Sequence, residues 1–554
     1  MRPIPAGQRD KAVSATITEG TKVPAAEVAA ATRAARWTAT AARYAPVIAA
    51  AVVMTFYGLW GLARYSAMGN DEVVSRWAAL LSLGQLAHLL RHIDAVHGLY
   101  YLLLHGWMAV GTSPTVMRIP SVIAMVAAAA MTVIITRRLT GSGWAALFAG
   151  LIMAMTPYIS YYAQTARSYA LVYACVLGET LALLSALQAE KAATAHNSIT
   201  RRWLTYGALV TLSAYLNEMA LLVLAAHAIT VLVARYGRRS LVHWAVTAAV
   251  STALVAPLLA LSILQHTAVS WIARPHLHDV WLLYHDYFGA TSASALLVLA
   301  CAAVAVLPPG RWWRRPRGGL AGAAGPESES PWWSSGGISL PSVAVPLLLV
   351  PAGLLLLESR ILHPLYQDRY VLYGEVGAAM LAGAGTYRIG RWLVAASRRR
   401  ELILVPGVAV LLCTLLLQLR AQHNTRTPMS REFNFGGPSF YVGAHARTGD
   451  GVLFLSSFYR KAELGYPEEF RKTSDFALAV PPVVAASYQG INKPFTAIQP
   501  LMLRYRRIWV IGERPSRGLP AGAQRKESLL LLRQFTRVTV RGYKGIWLTL
   551  WIRR

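Results

Sequence analysis

Long apolar runs recur along the chain between residues 46 and 419, and short polar or basic segments separate them. An α-helix needs roughly 20 predominantly apolar residues to cross the hydrocarbon core of a bilayer, and most of these runs approach that length. The pattern therefore predicts a polytopic α-helical membrane protein with about eleven transmembrane helices. The predicted spans are 46–66, 118–136, 142–158, 168–189, 203–216, 219–234, 242–264, 293–308, 341–357, 371–386 and 402–419.

The segment between the first two runs has a different periodicity. From Val73 to Leu90, apolar residues recur at spacings of three and four, which predicts an amphipathic helix lying in the plane of the membrane interface. The apolar run 97–110 is short, and its placement depends on charge. Counting it as a span would put the basic loops outside, so we assign it to the outer interface, within a first outer loop at 67–117.

Lysine and arginine residues are distributed unevenly between alternate loops. With a cytoplasmic N-terminus, the inner segments carry about 24 of them and the outer connections about eight, in agreement with the positive-inside rule. The sequence therefore predicts a multi-pass protein of the plasma membrane. Residues 1–45 are rich in Ala, Thr and Arg and contain no long apolar run, which predicts a disordered cytoplasmic tail.

Residues 421–554 change character, because charged residues become frequent and long apolar runs stop. Short segments at 451–455, 507–511 and 538–550 have the composition of β-strands, and 529–535 has that of a helix. These features predict a small C-terminal α/β domain. An odd number of spans places it on the extracytoplasmic side, after a membrane domain at 46–420.

The net charge of +29 follows from the basic loops, so we predict no nucleic-acid partner. The three cysteines each lie inside an apolar run and have no partner at metal-ligand spacing. No cofactor is predicted. A divalent metal stays open, although the histidines near 276–285 match no zinc pattern.

Under this topology, acids, histidines, arginines and tyrosines collect near the outer ends of the spans. Charged groups near membrane depth are costly, so their positions indicate function. Structural explanations also exist, namely helix caps for acids and interfacial anchors for arginines. The candidate site residues are Asp71, Glu72, Arg91, Asp94, His97, Tyr100, Tyr101, Arg167, Tyr169, His363, Asp368 and Arg369.

The order of these residues resembles the protein O-mannosyltransferase and aminoarabinose-transferase group of GT-C glycosyltransferases, over the whole of 46–420. Segment 94–101 looks like a variant found in actinobacterial proteins assigned as mannosyltransferases. The resemblance implies a GT-C-like helix bundle with amphipathic helices on its outer face. The matching motifs are Asp71-Glu72, Arg118-Ile119-Pro120-Ser121, Ala163 to Leu171, and Asp368-Arg369-Tyr370.

By that resemblance, the protein moves a sugar from a polyprenyl phosphate to an acceptor hydroxyl at the outer face. Asp71, with Glu72 as second choice, is expected to be the general base. Arg167 and Arg369 are expected to bind the donor phosphate. The lysine that some members carry before a Tyr-rich helix has no counterpart, so Arg91 or His97 is expected to substitute. The residues expected to bind substrate are Asp94, Tyr100, Tyr101, Tyr169, His363 and Asp368.

Mannose is the sugar that the resemblance favours, with arabinosyl or other pentosyl transfer by the same mechanism as the alternative. The acceptor is a glycan, a glycolipid or a protein, and membrane lipid is a further partner. Two other classes stay open, namely a lipid or solute transporter and a non-catalytic protein of cell-envelope assembly. Glu179 lies within a predicted span, and a proton relay at this position would favour the transporter.

Overall fold

The computed structural model describes residues 44–64, 67–307, 337–514 and 523–554. The predicted tail at 1–45 lies almost wholly outside the described residues. From Val47 to Arg554 the chain forms one compact unit, and all contacts discussed below lie within it.

Helices account for most of the chain up to residue 424, and each of the predicted apolar runs falls on at least one of them. The bounds are α1 (Tyr44–Leu59), α2 (Asn70–Leu80), α3 (Leu83–His92), α4 (Gly98–Trp107), α5 (Pro114–Thr140), α6 (Gly143–Met155), α7 (Pro157–Ala163), α8 (Tyr169–Lys191), α9 (His196–Leu216), α10 (Val223–Ala234), α11 (Arg238–Leu264), α12 (Leu277–Phe288), α13 (Ser292–Val306), α14 (Leu340–Ile361), α15 (Glu375–Ser397) and α16 (Val405–Asn424).

Five helices of the described chain are long and apolar enough to cross a membrane: α5, α8, α11, α14 and the stretch Arg400–Asn424. The number rises to seven if each of two sharply bent pairs, α6 with α7 and α12 with α13, is one span. The remaining predicted spans fall on α1, α9, α10 and α15, which are helical but shorter or more polar. The predicted polytopic helical architecture is confirmed.

The break between α6 and α7 has a local cause. Pro157 is the first residue of α7, and it has no N–H to continue the hydrogen bonding of the preceding helix. Thr156 adopts an extended conformation, as expected for a residue before proline. The two helices meet at 66°, and α7 thereby directs the following segment, 163–169, toward α2.

The prediction of one amphipathic helix over 73–90 is wrong, because α2 ends at Leu80 and α3 begins at Leu83. Ser82 caps α3, accepting a hydrogen bond from the Gln85 N–H while the Gln85 side chain accepts one from the Ser82 N–H. This capping box starts a new helix where apolar spacing alone indicates continuation. The run 97–110 forms α4, whose ten residues extend only about 15 Å.

The C-terminal region contains the predicted strands and helix. Five strands form one sheet in the order β2-β1-β5-β7-β6, in which β1 runs parallel to β2 and β5, and β7 runs antiparallel to β5 and β6. Two short strands, β3 and β4, pair separately. The bounds are β1 (Asp450–Phe454), β2 (Thr473–Asp475), β3 (Leu478–Val480), β4 (Ile491–Asn492), β5 (Arg507–Gly512), β6 (Phe535–Tyr543) and β7 (Ile546–Arg553), with α17 (Gly436–His445), α18 (Lys461–Gly465), α19 (Phe495–Met502) and α20 (Ala523–Gln534).

This region packs directly on the loop that follows α1. The Tyr466 hydroxyl accepts a hydrogen bond of 2.6 Å from the Met68 N–H, and the Arg76 guanidinium donates to the Gly465 carbonyl at 3.1 Å. α18 lies against α2. The contacts place α18, which follows β1 in the chain, against α2 and the loop before it. The domain boundary at 420 stays a prediction.

Candidate functional site

The Asp71 carboxyl lies in the first turn of α2, where the helix dipole favours a negative charge. Its Oδ2 is 4.0 Å from Arg369 Nε, and its side chain is 31% exposed. Burial alone would raise the pKa of Asp71, but the positive charges of Arg167 and Arg369 outweigh it and lower the pKa below its ordinary value. Asp71 is therefore an ionised and reachable carboxylate beside two arginines.

The neighbouring Glu72 has a different environment. Arg118 binds both of its carboxylate oxygens, at 2.7 and 2.8 Å, and the Ala166 N–H donates to Oε1 at 3.0 Å. Burial would raise its pKa, yet Arg118 and then Arg431 lower it to about 2. The side chain is 2% exposed. Because its oxygens are occupied and closed from solvent, the geometry does not fit the second-choice base predicted at Glu72, and it indicates a structural ion pair.

The segment 163–169 connects this ion pair to the C-terminal end of α1. The Gln164 amide donates to the carbonyls of Tyr57, Gly58 and Trp60 at the end of α1. This satisfies acceptors that a helix C-terminus leaves unpaired. With the Ala166 N–H held by the carboxylate described above, the segment fixes the position of Arg167.

Arg167 lies at the centre of a buried polar network. Its Nη1 donates to the Tyr101 hydroxyl at 2.8 Å, and its Nη2 is 3.7 Å from Asp94 Oδ2. Tyr101 and Tyr488 both donate to that same oxygen, the latter at 2.7 Å. Arg167 Nε is buried without a hydrogen-bond partner in the described chain, so one donor stays available to a ligand.

Asp94 is held in a rare backbone conformation, with φ of 63° and ψ of 27°. A non-glycine residue in this left-handed region is uncommon, although Asp tolerates it better than most residues. The turn it forms begins Ala95–His97 and aims the carboxylate at Arg167. Burial would raise the pKa of Asp94, but charges from His97 and Arg167 lower it below its ordinary value.

His97 is buried between the rings of Tyr101 and Tyr169, whose centroids lie 6.1 and 6.3 Å away. Burial, followed by the charge of Arg167, lowers the pKa of His97 to about 4. The imidazole is therefore neutral near pH 7. A neutral ring offers a phosphate an N–H donor but no positive charge, so His97 does not supply the cation that the missing lysine would provide. Phosphate binding by His97 stays a prediction.

Arg369 forms the second cationic side of the site. Its Nε donates to the Tyr169 hydroxyl at 3.2 Å, and its Nη1 is 4.0 Å from Glu432 Oε1. The exposed ring of Trp271 lies 6.0 Å from its guanidinium carbon. Arg369 thus lies beside Asp71, Arg167 acts on the same carboxylate from a different element, and Tyr169 contacts Arg369.

Other predicted site residues are not brought to this centre. Arg91 and His363 are exposed, and neither contacts the network through any described hydrogen bond or ion pair. Tyr100 is fully buried, and its hydroxyl has no partner in the described chain. Asp368 accepts a hydrogen bond from the Arg369 N–H, and its charge acts on Asp286 and the nearby tyrosines. Asp368 therefore belongs to a neighbouring acidic region.

Sequence reasoning missed residues that the C-terminal region contributes. Tyr488 binds Asp94, Arg431 lies 3.8 Å from Glu72, and the ammonium group of Lys461 donates to Asn70 at 2.7 Å. One pattern could have drawn attention to Lys461. It follows the carboxyl end of β1, the end at which parallel sheets commonly bind ligands.

Within the described residues, no cluster of three or more His, Cys, Asp and Glu side chains is arranged to hold a metal ion. The charged groups of the site are instead two carboxylates, at Asp71 and Asp94, and two guanidinium groups. This donor set can accept a proton and bind an anion.

No protein-family model and no curated protein matches the sequence. Solved structures do resemble it. ArnT from Cupriavidus metallidurans in the apo state superposes with a TM-score of 0.54 at 11% identity, covering 94% of this chain and 98% of that chain. The same protein bound to undecaprenyl phosphate gives a TM-score of 0.53 at 12% identity, covering 92% and 98%.

A weaker likeness is found to the oligosaccharyltransferase from Archaeoglobus fulgidus, with a TM-score of 0.46 at 11% identity, covering 86% of this chain and 69% of that chain. The similarity to ArnT extends over nearly the full length of both chains. At this level of identity it establishes the fold. The fold predicted from the sequence, a polytopic helical bundle with a small C-terminal α/β domain, is thereby confirmed.

Proposed function

We propose that this protein is a membrane glycosyltransferase that transfers a sugar from a polyprenyl-phosphate donor to an acceptor hydroxyl. The single observation that carries the proposal is the ionised Asp71 carboxylate, 4.0 Å from Arg369 and under the charge of Arg167. A proton acceptor beside two anion-binding cations is the arrangement that displacement of a phosphate requires.

The reaction follows from the roles of these groups. The acceptor hydroxyl attacks the anomeric carbon of the sugar while Asp71 removes the hydroxyl proton. The bond between that carbon and the phosphate oxygen breaks, and its electron pair leaves with the polyprenyl phosphate. Arg167 and Arg369 stabilise the charge that develops on the phosphate. A single displacement of this kind inverts the anomeric centre and forms no covalent enzyme intermediate.

The likeness to ArnT supports the choice of donor, since one of the two matched structures holds undecaprenyl phosphate. We propose mannose as the transferred sugar, with a pentose such as arabinose as the alternative. The acceptor is a glycan, a glycolipid or a protein. We further propose that the site faces the extracytoplasmic side, with the N-terminus in the cytoplasm.

The proposal is tested by radiolabel transfer with the full-length protein in lipid nanodiscs. Polyprenyl-phosphate mannose is supplied first and polyprenyl-phosphate arabinose second, each with a panel of envelope glycolipids, glycans and peptides. Asp71→Asn is expected to lower transfer by about 10²–10⁴-fold, the range typical of a lost general base. Glu468→Gln, at an exposed acid outside the site, is the matched control. Full transfer by Asp71→Asn would refute the assigned base.

A transporter is the second candidate, because Glu179 is wholly buried in α8. Intramembrane acids often belong to proton or solute pathways. If the protein transports a lipid or solute, Glu179→Gln is expected to stop flux in proteoliposomes, and Asp71→Asn is not. Sugar transfer with normal activity in Glu179→Gln would favour the enzyme.

A further inference from the structure

Lys461 is the first residue of α18 and is 7% exposed. Its ammonium group donates to the Asn70 side chain at 2.7 Å and lies 4.3 Å from the ring centroid of Phe458. Within the described chain, no carboxylate lies at salt-bridge distance from it. A buried charge normally has a counter-ion, and the described chain gives this lysine a polar partner but no counter-ion in direct contact.

Rigid contacts hold Lys461 in this position. The preceding residue, Arg460, binds Asp475 at 2.7 Å and the Asn492 side chain at 2.6 Å, and it also donates to the Gln489 carbonyl. These bonds fix the backbone at the start of α18 against β2 and β4. With the hydrogen bond to Asn70, they place the ammonium group beside the first turn of α2 and away from solvent.

The charged groups that face Lys461 belong to the site described above. They are Asp71 from α2, Asp94 from the turn before α4, and Arg167 from the segment before α8. Burial is the main cause that lowers the pKa of Lys461 to about 8, while the two carboxylates oppose this change. An ammonium group has three N–H donors, and Asn70 occupies one of them.

We propose that Lys461 is a third cation of the donor site and binds the phosphate group of the polyprenyl-phosphate substrate, together with Arg167 and Arg369. The inference rests on the proposed function for the identity of the donor. It goes beyond that function by making the C-terminal region a part of the donor site. The alternative is a structural lysine that only orients Asn70.

Binding of polyprenyl phosphate without a sugar tests the inference independently of catalysis. The full chain in nanodiscs is titrated with polyprenyl phosphate and, separately, with polyprenol, which has the lipid tail but no phosphate. Lys461→Gln is expected to weaken phosphate binding about tenfold or more, the cost of one charge-assisted hydrogen bond, and to leave polyprenol binding unchanged. Lys472→Gln, at an exposed lysine of the same region, is the matched control.

Lys461→Arg keeps the positive charge and is expected to bind polyprenyl phosphate more tightly than Lys461→Gln does. It also covers the case in which Lys461→Gln fails to fold, which a melting curve would reveal. Equal affinity of Lys461→Gln and wild type for polyprenyl phosphate would overturn the inference. So would equal losses for polyprenol and polyprenyl phosphate, because a structural lysine would affect both.

A pH titration distinguishes the lysine from the arginines. Phosphate affinity of the wild type is expected to fall as the pH rises above about 8, because Lys461 loses its proton, while Asp71, Asp94 and Arg167 keep their charges. In Lys461→Arg this fall should be absent. The same fall in both proteins contradicts the inference. If phosphate binding follows these expectations but no sugar is transferred, the proposed function fails and the inference stands.

Discussion

The carboxylate of Asp71 is partly exposed, whereas that of the adjacent Glu72 is buried in an ion pair. Substitution of Glu72 gives a quantitative test of its structural role. Glu72→Gln keeps the shape of the side chain but removes its charge. One carboxylate oxygen becomes an NH₂ group that faces Arg118, where the wild type accepts hydrogen bonds of 2.7 and 2.8 Å. The variant therefore leaves a buried guanidinium without its counter-ion.

The magnitude follows from the pKa of Glu72, which the structure lowers from 4.5 to about 2. This difference corresponds to roughly 3 kcal/mol of unfolding free energy. Removal of one partner of a buried ion pair typically costs about 3–5 kcal/mol, which agrees with this value. Because the folded-state pKa is the lower one, the stabilisation is present above about pH 4.3. It is lost as the pH falls through about 2.

The assay is denaturant-induced unfolding in detergent micelles, followed by tryptophan fluorescence. At pH 7, Glu72→Gln is expected to be less stable than the wild type by about 3 kcal/mol, and the difference should narrow as the pH is lowered from 5 toward 3. Asp71→Asn, whose side chain is more exposed, should cost less unfolding free energy than Glu72→Gln. The reasoning is refuted if Glu72→Gln is fully stable but loses sugar transfer to the same degree as Asp71→Asn.

Three further predictions concern the same centre. Arg369→Gln removes a positive charge that lowers the pKa of Asp71, so the acid limb of the pH–rate profile should move to higher pH. An acid limb at the wild-type pH would contradict the role of Arg369 in setting this pKa. Tyr488→Phe removes a hydrogen bond of 2.7 Å to Asp94 and should cost about 1.5–3 kcal/mol in unfolding free energy, whereas a loss below about 0.5 kcal/mol argues against the network. Burial first, and then Arg167, lowers the pKa of His97 from 6.5 to about 4, so its contribution to stability is present above pH 6.5 and is lost as the pH falls toward 4. His97→Gln should remove that pH dependence, and an identical dependence in the variant would show that other groups cause it.

Helix positions and the polytopic architecture could be predicted from the sequence, because the bilayer imposes a length and an apolar composition on every span. The same rule fails where a local cap or a proline interrupts an apolar pattern. Ser82 starts a new helix inside the predicted 73–90 helix, and Pro157 separates α6 from α7 within the predicted span 142–158. The spacing of apolar residues carries no information on side-chain-to-backbone hydrogen bonds such as the Ser82 cap, so it does not predict these helix ends.

Residues of the site could be predicted from the sequence only where they lie next to predicted helices. Asp71 and the two arginines could be selected because they lie at the outer ends of predicted helices. Lys461 and Tyr488 could not, since their contacts bridge 391 and 394 positions. Arg91, which the sequence offered with His97 as a substitute cation, is on an exposed helix surface. Choosing between two basic residues requires the tertiary packing.

The packing of α18 against α2 also has a consequence for folding during translation. Asn70 and Met68 emerge from the ribosome long before Lys461 and Tyr466. The Met68 N–H and the Tyr466 hydroxyl, which form a hydrogen bond, are 398 positions apart in the chain. The nascent bundle therefore contains Asp71 before the chain supplies Lys461 and Tyr466, which contact the neighbouring Asn70 and Met68. A product terminated before the sheet region would lack the third cation of the proposed phosphate site, so we expect it to bind polyprenyl phosphate more weakly than the full chain does.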